Sequence, residues 1–198
     1  NGDKINFTDI SKPIAEDKLK NLSNQYRLSK EKILLSVFLF NLTKFSFSKD
    51  ILIAYNKQAC GYHFDTNLSV NEYLNDFKKS FKHYSNYPLL NNRKLDFESE
   101  ILFFTDEYDT KDYKFIFNYE SGNINISYDE SFYSKELIET FLDSIDVLLD
   151  KFASGDDLLK DISIRRELEY DEDFKIELAN DGVNRRSEER RVGKECRS

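Results

Sequence analysis

Residues 113–152 read YKFIFNYESGNINISYDESFYSKELIETFLDSIDVLLDKF, and two hydrophobic periods follow one another within them. In the first, Tyr113, Phe115, Phe117 and Tyr119 alternate with other residues, and Ile124, Ile126 and Tyr128 do the same after Ser121-Gly122. A period of two places each set on one side of a pleated strand, and the Ser-Gly turn joins the strands as an antiparallel hairpin. Then the spacing changes to three and four. Ser134 stands as an N-cap, Leu137, Ile138, Phe141, Leu142, Ile145, Leu148, Leu149 and Phe152 form one broad stripe, and Gly155 lies just past the end. An aromatic strand face needs a cover and the helical stripe needs a sheet. The expected fold class is therefore α/β, with a mixed sheet and two layers.

The preceding residues supply further elements. Pro13 suits a helix start, and Leu19, Leu22 and Tyr26 follow at helical spacing over 14–27. Ser29 caps a second helix over 30–44, whose apolar residues cover nearly every face, so other elements should enclose it. Asp50–Tyr55 is a strand-length apolar run, while 56–68 reads as polar and irregular. Ser69 and Glu72 form a capping box for a third helix carrying Val70, Leu74, Phe77, Phe81 and Tyr84, which ends before Pro88. Residues 97–105 are strand-like, and 159–164 suggest a last short strand. The expected order is ααβαβββαβ, unlike an alternating Rossmann pattern.

Composition excludes several classes of function. The chain has 198 residues, 29 basic against 37 acidic, and a net charge of −8, the opposite of a nucleic-acid footprint. Hydrophobic residues make up 39%, with 17 Phe and 12 Tyr, so a core can form. No apolar run approaches the roughly 20 residues of a membrane span. Cys60 has no disulfide partner in the body of the chain, which fits a reducing cytoplasm.

Element order and several local strings resemble the C-terminal half of a nonribosomal peptide synthetase condensation domain, a chloramphenicol-acetyltransferase-like fold. The two-helix stretch KLKNLSNQYRLSKEKILLSVFLFNLTKFS precedes Asp50–Ala54, which resembles the family's "dvvig" strand. Residues 84–90 (YSNYPLL) stand where HQDxPFE would, and keep Pro88 of it. Gly61, Tyr62, His63 and Phe64 resemble the G-x-F-V-N-T segment at altered spacing. Tyr128, Tyr133, Ser134 and Ile138 match a Y-x-x-x-x-Y-s-x-x-x-I phrase, and Leu159, Asp161 and Ile162 a closing L-x-D-I. The resemblance covers residues 5–170.

It implies one lobe of a domain that joins two carrier-bound thioesters as an amide, with HHxxxDG in the preceding lobe. This fragment would supply a wall and floor of the channel, hold no catalytic, cofactor or metal residue, and be inactive alone. It would bind no cofactor directly, because the phosphopantetheine belongs to partner carrier domains. Its other partners would be an adjacent adenylation domain and the missing N-terminal lobe, with no nucleic acid and no membrane, in the cytoplasm. The same fold also admits a coenzyme-A-dependent acyltransferase or an inactive condensation-like scaffold.

Single residues agree. His63 and His83 lack a metal or catalytic partner at recognisable spacing, and Cys60 reads as a plain thiol. Lys78, Lys79 and Lys82 read as a solvated helix face. The acidic groups over 106–112 and 167–173 lack the glycine and spacing of a calcium loop. Residues 186–198 (RSEERRVGKECRS) resemble a translated sequencing adapter, and the chain starts at Asn1 with no methionine. The expected organisation is a partial C-terminal lobe over 1–170, the start of an interdomain linker over 171–185, and an adapter artefact over 186–198.

Overall fold

The computed structural model describes residues 6–55, 58–80, 101–104 and 113–164. Its elements run β1 Phe7–Pro13, α1 Glu16–Tyr26, α2 Lys30–Ser46, β2 Asp50–Tyr55, β3 Gln58–His63, α3 Val70–Ser80, β4 Ile101–Phe104, β5 Phe115–Glu120, β6 Asn123–Asp129 and α4 Lys135–Lys151. The six strands form one mixed sheet in the order β1-β6-β5-β4-β2-β3. Its centre is parallel, β4 pairing with β2 on one side and β5 on the other, and both flanks are antiparallel.

The expected helix caps form. Ser29 Oγ accepts from the Lys32 amide and Ser134 Oγ from the Leu137 amide, each satisfying an otherwise orphaned donor. The capping box closes both ways, Ser69 N donating to Glu72 and Glu72 N to Ser69 Oγ. Ser121 and Gly122, at φ 52° and 79°, make the hairpin turn between β5 and β6.

All four helices lie on one sheet face. Phe38 of α2 sits 4.5 Å from Phe117, 5.3 Å from Phe103 and 5.6 Å from Phe141, ring centre to ring centre. Tyr62 of β3 meets Tyr73 of α3 at 5.4 Å. A polar pin crosses this core: Asn41 Nδ2 donates to the Phe141 carbonyl at 3.1 Å, and Ser144 Oγ to Asn41 Oδ1 at 2.9 Å. It joins α2 to α4, because the buried Asn41 amide finds both its partners on α4.

Four expectations are corrected. Residues 7–13 form an edge strand, so Pro13 ends β1 instead of starting α1. Residues 58–63 pair with β2 as a hairpin where irregular chain was expected. Residues 159–161 form a 3-10 turn, and among the described residues the only strand-like pairing nearby is a single bridge from Leu158 to Ser69. Leu137, on the first turn of α4, remains 40% exposed, whereas Val147 is buried. The order is thus βααββαβββα with a terminal 3-10 turn. The compact unit closes at Ile164, and the expected linker and tail lie outside the described residues.

Candidate functional site

The parallel strands β2, β4 and β5 share one carboxyl end, the side on which open α/β sheets carry their ligand crevices. The start of α2 lies at that end. The Tyr55 hydroxyl, at the end of β2, donates to Glu31 in the first turn of α2. Tyr119, near the end of β5, donates to Glu16 Oε1 at 2.7 Å, and Lys30 reaches Glu16 Oε2 at 3.1 Å. Glu16 thereby ties α1, α2 and β5 together. The Tyr119 hydrogen bond, then Lys30, hold the Glu16 carboxyl below its usual range. Burial and the Glu16 bond push Tyr119 up to about 12. The pair is an ionised acceptor with a neutral donor; it braces the rim, and neither member is poised as a general base at neutral pH.

The second part of the site is the sheet face opposite the helices, which no described helix covers. Register places two rows across it. Ser11, Asn125 and Asn118 form one, and Asp9, Ser127 and Ile116 the other. Asn125 Nδ2 donates to Asn118 Oδ1 at 3.3 Å, and Ser127 Oγ donates to Asp9. Farther along, Ile116, Ala54 and Tyr113 make a small apolar cluster, with Leu52 48% exposed on β2.

The residues singled out in the sequence do not converge. His63 Nδ1 lies 2.6 Å from Asp50 Oδ1 at the exposed end of the β2–β3 hairpin, away from the rim. Tyr62 and Phe64 are core, and Gly61 sits where a Cβ would approach Leu52 to 3.2 Å. Tyr133 packs on Phe115. Lys78 and Lys79 are exposed on α3. Tyr128 is fully buried on the helix-covered face, its hydroxyl has no partner among the described residues, and burial raises its pKa. His83, Lys82, residues 84–90 and the acidic stretches 106–112 and 167–173 lie outside the described residues, as does the Cys60 side chain. Among the described residues no group of His, Cys, Asp or Glu is arranged to hold a metal ion, and no helix is long and apolar enough to cross a membrane.

The polar rows were missed by sequence reasoning, although the signal was present. The alternation that puts Phe117, Ile124, Ile126 and Tyr128 inward puts Asn118, Asn123, Asn125 and Ser127 on the other side. The Glu16 contacts had no such signal, because they join residues far apart in the chain.

No family model matches the chain, and no curated protein matches it. Solved structures do. A holo four-domain nonribosomal peptide synthetase bound to AMP and glycine superposes with a TM-score of 0.67 at 13% identity, over 83% of this chain and 18% of that one. The condensation domain of the monacolin K polyketide synthase gives 0.61 at 10% identity, over 78% of this chain and 49% of that one. The first condensation domain of the calcium-dependent antibiotic synthetase, with a substrate analogue, gives 0.63 at 7% identity, covering 80% and 47%. The chain has the condensation-domain fold, the acyltransferase-like fold expected from its sequence. It spans about half the length of the two isolated condensation domains it matches.

Proposed function

We propose that the chain is the C-terminal lobe of a condensation domain in a nonribosomal peptide synthetase. Its uncovered sheet face and carboxyl rim would form one wall of the channel where two carrier-tethered substrates meet. The observation that carries this reading is the fold match over most of this chain and only about half of each isolated condensation domain.

In the reaction, a carrier-bound amine attacks the thioester carbonyl of a second substrate. The tetrahedral intermediate collapses to an amide, the amine loses its proton to a base, and the thiol of the donor's phosphopantetheine leaves. The second histidine of HHxxxDG, in the other lobe, would position or deprotonate that amine, so this chain would contribute no catalytic residue. It contributes surface that holds two tethered reactants in register, where proximity supplies much of the rate. Carrier and adenylation domains of the parent protein are its partners, and the cytoplasm is its compartment.

The test is amide formation by the parent protein with two loaded carrier domains, alongside the 198-residue chain alone. The parent should form product and the chain alone none. Product from the chain alone would overturn the lobe assignment. A parent that acylates a free amine or alcohol only from coenzyme A thioesters would be the free-standing transferase, and one lacking HHxxxDG and inactive with both donors would be a scaffold.

A further inference from the structure

On the uncovered face, the three central polar positions of β5 and β6 are Asn118, Asn125 and Ser127, all partly exposed and all uncharged. The solvent side of α4 is different in kind, with Lys135, Glu136, Glu139 and Asp143. Asn is also disfavoured in strands, since its short polar side chain competes for backbone hydrogen bonds and packs poorly on a pleated surface. Two facing Asn side chains on a central strand pair thus run against local propensity, a conflict that marks function more often than stability. They are also organised. The bond from Asn125 Nδ2 to Asn118 Oδ1 uses one of two amide hydrogens of Asn125, leaving its second N–H and its carbonyl oxygen for a further partner. Ser127 is held in turn by Asp9.

We propose that Asn125, set by Asn118 and flanked by Ser127, is a binding site for a neutral amide group on the tethered substrate. This inference rests on the channel-wall reading above. A primary amide offers a donor and an acceptor, so Asn125 can meet either the carbonyl edge or the N–H edge of a trans secondary amide with one hydrogen bond. The uncharged row of Ser11, Asn125 and Asn118 matches a neutral ligand, and Ile116 with Ala54 beside that row suits an aliphatic portion next to the amide. Two sources share this chemistry, the pantetheine arm and a peptidyl or N-acylated group carried on it.

The experiment compares the parent protein with its Asn125→Leu and Asn125→Thr variants. Leu is the near-isosteric apolar replacement, and Thr is a better strand former that keeps a hydroxyl but cannot present an amide. Three donors are used: an N-acylaminoacyl group on phosphopantetheine, a simple fatty acyl group on phosphopantetheine, and the N-acylaminoacyl group on a plain alkyl thiol. Both variants should lower kcat/KM by roughly tenfold on the two donors that carry the recognised amide and spare the third, the scale of one hydrogen bond lost. A loss on both phosphopantetheine donors but not on the alkyl thioester assigns the arm. A loss on both N-acylaminoacyl donors but not on the fatty acyl donor assigns the acyl group. Variants equal to wild type on all three overturn the proposal, as does an equal loss on all three, the mark of a purely structural role. A wild-type parent that forms no amide from any donor defeats the condensation reading itself, and this inference with it.

Discussion

Phe141 shows how much one side chain carries. Its ring lies 5.6 Å from Phe38, 5.2 Å from Phe45 and 5.4 Å from Phe115, so it joins α4 to α2 and to the sheet. Phe141→Ala should cost about 3–5 kcal/mol, a large share of a domain's stability. Asp143→Ala, two residues on, should cost less than about 0.5 kcal/mol, because its pair with Lys12 is largely exposed. Urea denaturation of both checks this, and an unchanged midpoint for Phe141→Ala would remove the helix from the core. Glu16 makes the pH case. Its folded pKa is lowered, first by Tyr119 and then by Lys30. The stabilisation is therefore present above the ordinary carboxyl value of about 4.3 and is lost as pH falls through the lower folded value. The stability gap between wild type and Glu16→Gln should be full near neutrality and close in acid. Denaturation midpoints across a pH series measure it, and a gap that stays constant would count against the ionised pairing.

At the scale of elements, helices were legible and edge strands were not. The α2 and α4 helices carry their own signals, an N-cap serine and long apolar runs at helical spacing, and each starts where its serine places it. β1, by contrast, has no side chain that is fully buried, so its sequence FTDISKP lacks an apolar period to read. It exists because β6 offers an unpaired row of backbone groups. The β3 strand is similar, a short edge strand defined by its hairpin with β2. Helix ends also hold untapped stability. α2 stops at Phe47, which is left-handed at φ 55° and ψ 21° and 94% exposed. A left-handed residue with a Cβ is strained, and Asn tolerates that region better than Phe. Phe47→Asn should raise stability by roughly 0.5–1 kcal/mol, read as a higher urea midpoint. A lower midpoint would mean the ring makes a contact that its exposure does not suggest.

For the whole molecule, the sequence by itself determined the layer that is hydrophobic on a regular period. The 3.6-residue stripe of α4 and the two-residue period of β5 and β6 demand a helix laid on a sheet, and the order of strings placed that sheet in the condensation fold. Periodicity reports which side of an element is apolar, and it needs no knowledge of the neighbour. Tertiary structure alone decided everything that depends on who the neighbour is. It made residues 7–13 a strand beside β6, brought Glu16 to Tyr119 and Lys30, and set Asn41 of α2 against Ser144 of α4. It also decided that the row Ser11, Asn125 and Asn118 faces away from every described helix. Those contacts join residues distant in the chain through polar groups that have no period. Their positions are fixed only when the apolar layer has closed and chosen which polar residues share a surface.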